Sequence, residues 1–228
     1  MASAGDAPSA APRVVIDVPS WVEQATRSRQ AYGTDDEKMA LVISLARENV
    51  DRRTGGPFGA AVFETASGRL VAAGVNSVTR LQNCVLHAEV VAIMLAQHRV
   101  RSFTLGPPAL PAHELITSCE PCAMCLGVTL YSGVGRVVMA AARDDAMAVG
   151  FDEGPVFAES YAYLAERGVT FVRDVKRAES ASIIRAYRDA GGPIYNARST
   201  PRPPGPGYRQ PLTAPAVIPF TNHSDRNR

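Results

Sequence analysis

Four residues in two short stretches carry the chemistry of this chain. "HAEV" at His87–Val90 offers an imidazole and, two residues on, the carboxylate of Glu89. "EPCAMC" at Glu120–Cys125 offers the thiols of Cys122 and Cys125, three residues apart. Imidazole nitrogen and thiolate sulfur are donors that zinc takes. Pro121 is a residue type favoured in the first turn of a helix, so the spacing predicts both sulfurs on one face of a helix start. A helix N-terminus favours negative charge, which helps to hold thiols as thiolates. His87, at the start of its own helix, supplies a third ligand. One His and two Cys leave a fourth tetrahedral position open, which separates a catalytic zinc from a closed structural one. Zinc with an open position makes water a nucleophile near neutral pH, and Glu89 is placed to move the protons.

Other readings of the same cysteines exist. Cys-x-x-Cys alone is also a redox pair, but that leaves His87 and Glu89 without a role. All four cysteines together could close a structural zinc site, which belongs to a small zinc-ribbon-like module and not to a long alternating core. Cys119 ends the strand before Pro121, off the helix, and is read as a pocket-wall or core thiol; Cys84 is read the same way, since free cysteine is usually a small buried hydrophobe. Of the other histidines, His98 is expected on a helix surface, His113 in a loop and His223 in the tail.

The elements that must position these groups follow from periodicity. Thr34 and Glu37 have capping-box spacing, and Met39, Val42, Ile43, Ala46 and Val50 then share one helical face. Gly55–Gly56 breaks the chain. Phe58–Glu64 and Arg69–Val75 read as strands joined by a turn at Ala66–Gly68. A helix over His87–Arg99, a short strand at Glu114–Ser118 and a helix from Pro121 to about Ser132 come next. Arg136–Ala142 and Val169–Val175 are strands, with helices near Tyr161–Arg167 and Ala178–Ala190. Strands alternating with helices predict a mixed sheet between helical layers. The expected organisation is an N-terminal extension over 1–33, anchored by Trp21, a core domain over 34–196, and a Pro/Gly-rich tail over 197–228 whose apolar anchors are Tyr208, Val217, Ile218 and Phe220.

The 228 residues are 46% hydrophobic and 20% charged, with a net charge of +2. That is ordinary globular composition without the strong basic footprint of a nucleic-acid binder. No apolar run approaches the roughly 20 residues that span a bilayer. The first residues, "MASAGDAPSAAPR", have neither the basic nor the apolar region of a secretory signal. Four cysteines, three of them clustered, suit a metal or catalytic site in a cytoplasmic chain better than a disulfide framework.

H-x-E followed by P-C-x-x-C is the signature of zinc nucleobase deaminases. Together with "GGPFGAAV" (Gly55–Val62), "AAGVNSVT" (Ala72–Thr79), "TSCEPCAMCLG" (Thr117–Gly127) and "DAMAVGFDEG" (Asp145–Gly154), it makes residues from about Asp35 to Asp152 resemble the cytidine-deaminase-like superfamily. Within it, the chain looks most like the bacterial guanine deaminases and their nucleoside-deaminase relatives. The resemblance implies a three-layer α/β/α sandwich with a mixed five-stranded sheet and one zinc per chain. It implies a hydrolase acting on C–N bonds of cyclic amidines, with His87, Cys122 and Cys125 as ligands and Glu89 as proton shuttle. Asn76 matches an asparagine that bonds the substrate ring, Asp145 an aspartate that assists proton transfer, and Phe58 a pocket aromatic. Read alone, Asn76 suits a turn, Asp145 a helix cap and Phe58 the core. At Asn83–Leu86 the chain reads "NCVL" where these families carry Asp-Pro-Thr and a small residue; this segment is expected to border the pocket, with Val85 altering polarity near the ring.

The expected reaction is guanine to xanthine plus ammonia, with guanosine, a cytosine-type base or another small aminoheterocycle as alternatives. A tRNA adenosine deaminase would need a basic surface that a balanced chain does not offer, and a non-catalytic zinc module has no use for Glu89. The expected partners are a small-molecule nucleobase or nucleoside and, by family likeness, a second copy in a homodimer. Tyr195 and the Pro-rich tail are expected to cover a pocket, the chain's own or its partner's.

Overall fold

The computed structural model describes residues 14–27 and 31–196. The expected Ala/Pro-rich N-terminus over 1–13, the tail with its apolar anchors, and His223 lie outside the described residues.

The sheet is built from strands that alternate side chains between two buried faces. In β1 (Gly59–Glu64), Ala61 and Phe63 point to one face and Ala60 and Val62 to the other. In β4 (Arg136–Ala141) the same split separates Val138 and Ala140 from Val137 and Met139. With β2 (Leu70–Val75), β3 (His113–Cys119) and β5 (Thr170–Val172), these form a five-stranded sheet in the order β2-β1-β3-β4-β5. β1 runs antiparallel to β2 and β3, whereas β3, β4 and β5 run parallel. The expected mixed sheet between helical layers is therefore the architecture found.

One layer holds α1 (Ser20–Arg27), α2 (Asp35–Asp51) and α8 (Arg177–Asp189), which meet the face of Phe63, Ile116 and Val138. The other holds α4 (Ala88–Val100), α5 (Ala123–Ser132) and α7 (Ala158–Ala165), against Val62, Leu115 and Met139. Two short helices, α3 (Val78–Leu81) and α6 (Arg143–Met147), fill connections that periodicity is too short to reveal. No helix among the described residues is long and apolar enough to cross a membrane.

The start of α2 follows the expected capping box. The Glu37 N–H donates to Thr34 Oγ1 at 3.2 Å and the Thr34 N–H to Glu37 Oε2 at 3.3 Å. Such a cap contributes about 1 kcal/mol. The same end of α2 is tied to the sheet by charge: Lys38 Nζ lies 2.6 Å from the fully buried Glu114, Arg136 also bonds Glu114, and Arg136 Nη2 lies 2.6 Å from Asp35. α1 lies in the segment expected as an extension. Trp21 seals it down: the ring is 7% exposed, and its Nε1–H donates to Thr54 Oγ1 at 3.3 Å.

Three expectations change. β5 is shorter than Val169–Val175, because Asp174 and Lys176 take left-handed backbone angles that end the strand. His113 is not in a loop: it opens β3, is 2% exposed, and its Nδ1 lies 2.8 Å from the Leu105 carbonyl oxygen. Cys84 is not a buried thiol; it is exposed on the turn before α4.

Candidate active site

Two helix N-termini meet at one point beyond the ends of β2 and β3. His87 is the N-cap of α4 and Cys122 the N-cap of α5, and neither side chain caps its own helix. Both are therefore free to turn toward a shared ligand. The helix starts at Ala123, two residues later than expected, so Pro121 lies outside it, Cys122 sits at its boundary and Cys125 in its first turn. His87 Nδ1 lies 3.6 Å from each of the two sulfurs, and the three donor atoms all lie within 4.8 Å of one another.

This donor set fits zinc. Zinc bonds of ~2.0 Å to nitrogen and ~2.3 Å to sulfur at a tetrahedral angle put the two donors ~3.5 Å apart. The electrostatics agree. A hydrogen bond from Cys125, reinforced by His87, outweighs burial and holds the Cys122 thiol down to about 4. Cys125 is pushed up by the proton it shares with Cys122 and by its burial.

Glu89, in the first turn of α4, is 6% exposed, and burial pushes its carboxyl up. It lines a cavity of about 230 Å³ with His87, Cys122, Phe58, Asn76 and Cys119. That volume is below the ~300–1,000 Å³ of drug-sized sites and suits a small ring. The structure thus gathers Phe58, Asn76, His87, Glu89 and Cys122 into one pocket, with Cys125 completing the metal triad behind it. Cys119 is the wall thiol that the sequence suggested. Asn76 Oδ1 accepts the Val78 N–H at 3.3 Å, which turns its amide NH₂ the other way. Its backbone carbonyl is held by Asn49 Nδ2 at 3.0 Å. The aromatic wall is Phe58 edge-on to Phe151 at 5.1 Å, with Tyr195 tilted against Phe151 at 5.1 Å.

Asp145 does not line this cavity. Its carboxylate accepts the Ala142 N–H and Arg177 Nε, each at 2.9 Å, so it caps α6 and pairs with α8. Beside Glu89, Glu120 and Asp152, the cavity is lined by the carboxylate of Glu153, which the sequence reading passed over although "GFDEG" holds an acidic pair. Its side chain makes no hydrogen bond or ion pair among the described residues. Burial, together with the nearby charges of Cys122 and Glu89, raises it to about 8. Asn83–Leu86 is displaced from expectation as well: none of the four lines the cavity, and Val85 is 43% exposed.

Tyr195 closes the pocket from the chain's own C-terminal side. Its buried Oη has no hydrogen-bond partner among the described residues. Asn196 fixes the segment by accepting the Asp152 N–H at 2.9 Å and donating to the Gly150 carbonyl at 2.7 Å.

Residues 33–141 match the family model of the cytidine and deoxycytidylate deaminase zinc-binding region, the class that this fold and donor set define. The guanine deaminase of Bacillus subtilis (strain 168) is 37% identical over 147 residues, 64% of this chain and 89% of that protein. The structure of guanine deaminase from Nitrosomonas europaea superposes with a TM-score of 0.74 at 38% identity, covering 78% of this chain and 97% of that one. A structure in complex with 2,6-diaminopurine gives 0.75 at 40% identity, covering 81% and 97%. The chain belongs to the guanine deaminase family. Zinc is the metal of the matched domain, and His87, Cys122 and Cys125 are the residues here that fit it.

Proposed function

We propose that the protein hydrolyses the exocyclic amine of guanine, consuming water and giving xanthine and ammonia. The observation that carries this reading is Glu89, buried beside the His87–Cys122–Cys125 triad and open to the same small cavity. Zinc held by the triad supplies the Lewis acidity that makes water a nucleophile near neutral pH.

The chain's own residues do the rest. The ring lies against Phe58 and Phe151, and the Asn76 amide donates to an acceptor on its edge. Glu89 takes the proton of the attacking water and passes it to a ring nitrogen, as general base and then acid. Water adds to the carbon bearing the amine; as the C–N bond breaks, the adduct's hydroxyl gives up its proton to become the carbonyl and the amine gains one to leave as ammonia. Glu153, unpaired and in the same cavity, is placed to deliver that proton. Tyr195 excludes bulk water from the ring.

Ammonia release measured across guanine, guanosine, adenine, cytosine and cytidine tests the reading. Guanine should be turned over fastest. Turnover of another compound in the panel with none of guanine would overturn the substrate, and a zinc-loaded protein inert on all five would overturn the reaction.

The reading includes a homodimer. α5 has no charged residue; its Tyr131 is 83% exposed, Met124, Gly127 and Val128 are half-buried, and Met94 of α4 is exposed. The exposed Tyr131 on an uncharged helix supports a covered surface there. Light scattering should give twice the chain mass, and Tyr131→Glu should give the monomer.

A further inference from the structure

Glu120 lines the edge of the same cavity; its carboxylate is 11% exposed, and its hydrogen bonds lead away from the metal triad. Oε1 accepts from the Tyr161 hydroxyl and, at 2.8 Å, from Arg173 Nη1. Oε2 accepts the backbone N–H of Arg143 at 3.1 Å. The Glu120 N–H in turn donates to the Ala141 carbonyl at 2.8 Å. Three donors from α6, α7 and the end of β5 therefore converge on the residue two positions before Cys122.

The contacts continue into a closed circuit. Arg143 Nη1 donates to the Val156 carbonyl at 2.7 Å. Val156 ends the loop that carries Glu153, and the Glu153 carbonyl accepts the Ala123 N–H at 3.0 Å. Ala123 follows Cys122, and Pro121 leads back to Glu120. The turn that sets a metal ligand and the loop that sets the unpaired carboxylate are thus links of one ring. Its covalent parts are stiff, since Pro121 has a fixed φ and Pro155 lies in the Glu153 loop. Its non-covalent parts depend on Glu120 and Arg143.

Resting on the deaminase reading above, we propose that Glu120 is a positioning residue that holds the Cys122 turn and the Glu153 loop in register. An ionised carboxylate suits the place because it offers only acceptors to the converging N–H groups of Arg143 and Arg173. A glutamine of the same shape must turn its NH₂ toward one of them. Neighbours that orient metal ligands commonly carry roughly 10- to 100-fold in metal affinity or activity.

Two variants separate the arms of the ring. Glu120→Gln should weaken zinc binding about 10-fold, read by chelator competition with no base present, and lower kcat for ammonia release about 10- to 100-fold with KM within about 2-fold. Arg143→Met keeps its backbone N–H on Glu120 and loses the link to Val156 together with the positive charge near Glu153. It should leave the zinc dissociation constant unchanged and lower kcat about 10-fold. The zinc readout needs no substrate, so it stands or falls separately from the guanine assignment. Unchanged zinc affinity and kcat in Glu120→Gln, with only a lower Tm, would overturn the proposal. Should that variant not fold, Arg143→Met with wild-type kcat would overturn it equally.

Discussion

Gly56 and Tyr195 share one volume of space. A Cβ built on Gly56 would come within 2.3 Å of Tyr195 Oη and 2.9 Å of its ring. The cavity wall at Tyr195 is thus set by the absence of a side chain at a residue on the far side of the sequence. The methyl group of Gly56→Ala must push the ring aside. The zinc triad lies elsewhere, so zinc content should be unchanged while KM for the base rises on the order of 10-fold. Steady-state kinetics with metal analysis on the same preparation checks both halves.

Glu89 is the only carboxylate in the first turn of α4 and is buried in the cavity. Glu89→Gln keeps its volume and removes its basicity. Zinc content should stay at one per chain and ammonia release should fall by at least about 10²-fold. Retained turnover would rule Glu89 out as the proton carrier.

The metal triad joins α4 to α5 across elements 35 residues apart in sequence. Removing zinc with a chelator should abolish turnover and lower Tm, since a ligand bound only by the folded state stabilises it. Adding zinc back should restore both. Cys122→Ser should reproduce the loss without restoration, as measured by thermal melts with and without added zinc.

Asp35 gives the fold a specific acid sensitivity. The Arg136 guanidinium beside it holds its carboxyl below the ordinary 3.8, with Lys38 adding to the effect. Because the folded value lies below the unfolded one, the pair stabilises the protein above about pH 4 and ceases to do so as the pH falls through the folded value. Asp35→Asn should lower Tm by about 2–4 °C at neutral pH and by progressively less below about pH 4. An equal shift at all pH values would show that packing, not charge, is lost.

Much of this molecule is legible in its sequence because the relevant signals are local. Capping at Thr34, alternation in Phe58–Glu64 and the two ligand stretches each lie within a few residues, and each is where it was expected. What the sequence hides is set by packing at a distance. Asp145 and Glu153 are both acidic residues in one resembling stretch. Only the chain path after β4 decides that the first caps α6 and the second enters the cavity. Cys84 and Cys119 are the same residue type, yet one is exposed and the other is 4% exposed beside the pocket. His113 has no local pattern, and its burial follows from its place at the start of the central strand.

The place of Tyr195 orders the events of synthesis. A ribosome that has delivered Cys125 has already delivered every metal ligand, while the residue that seals the cavity is still to be made. The metal therefore has its donors before the base has its chamber, and a chain cut short just after α8 would keep every metal ligand while leaving the cavity open to water and to any solute passing by.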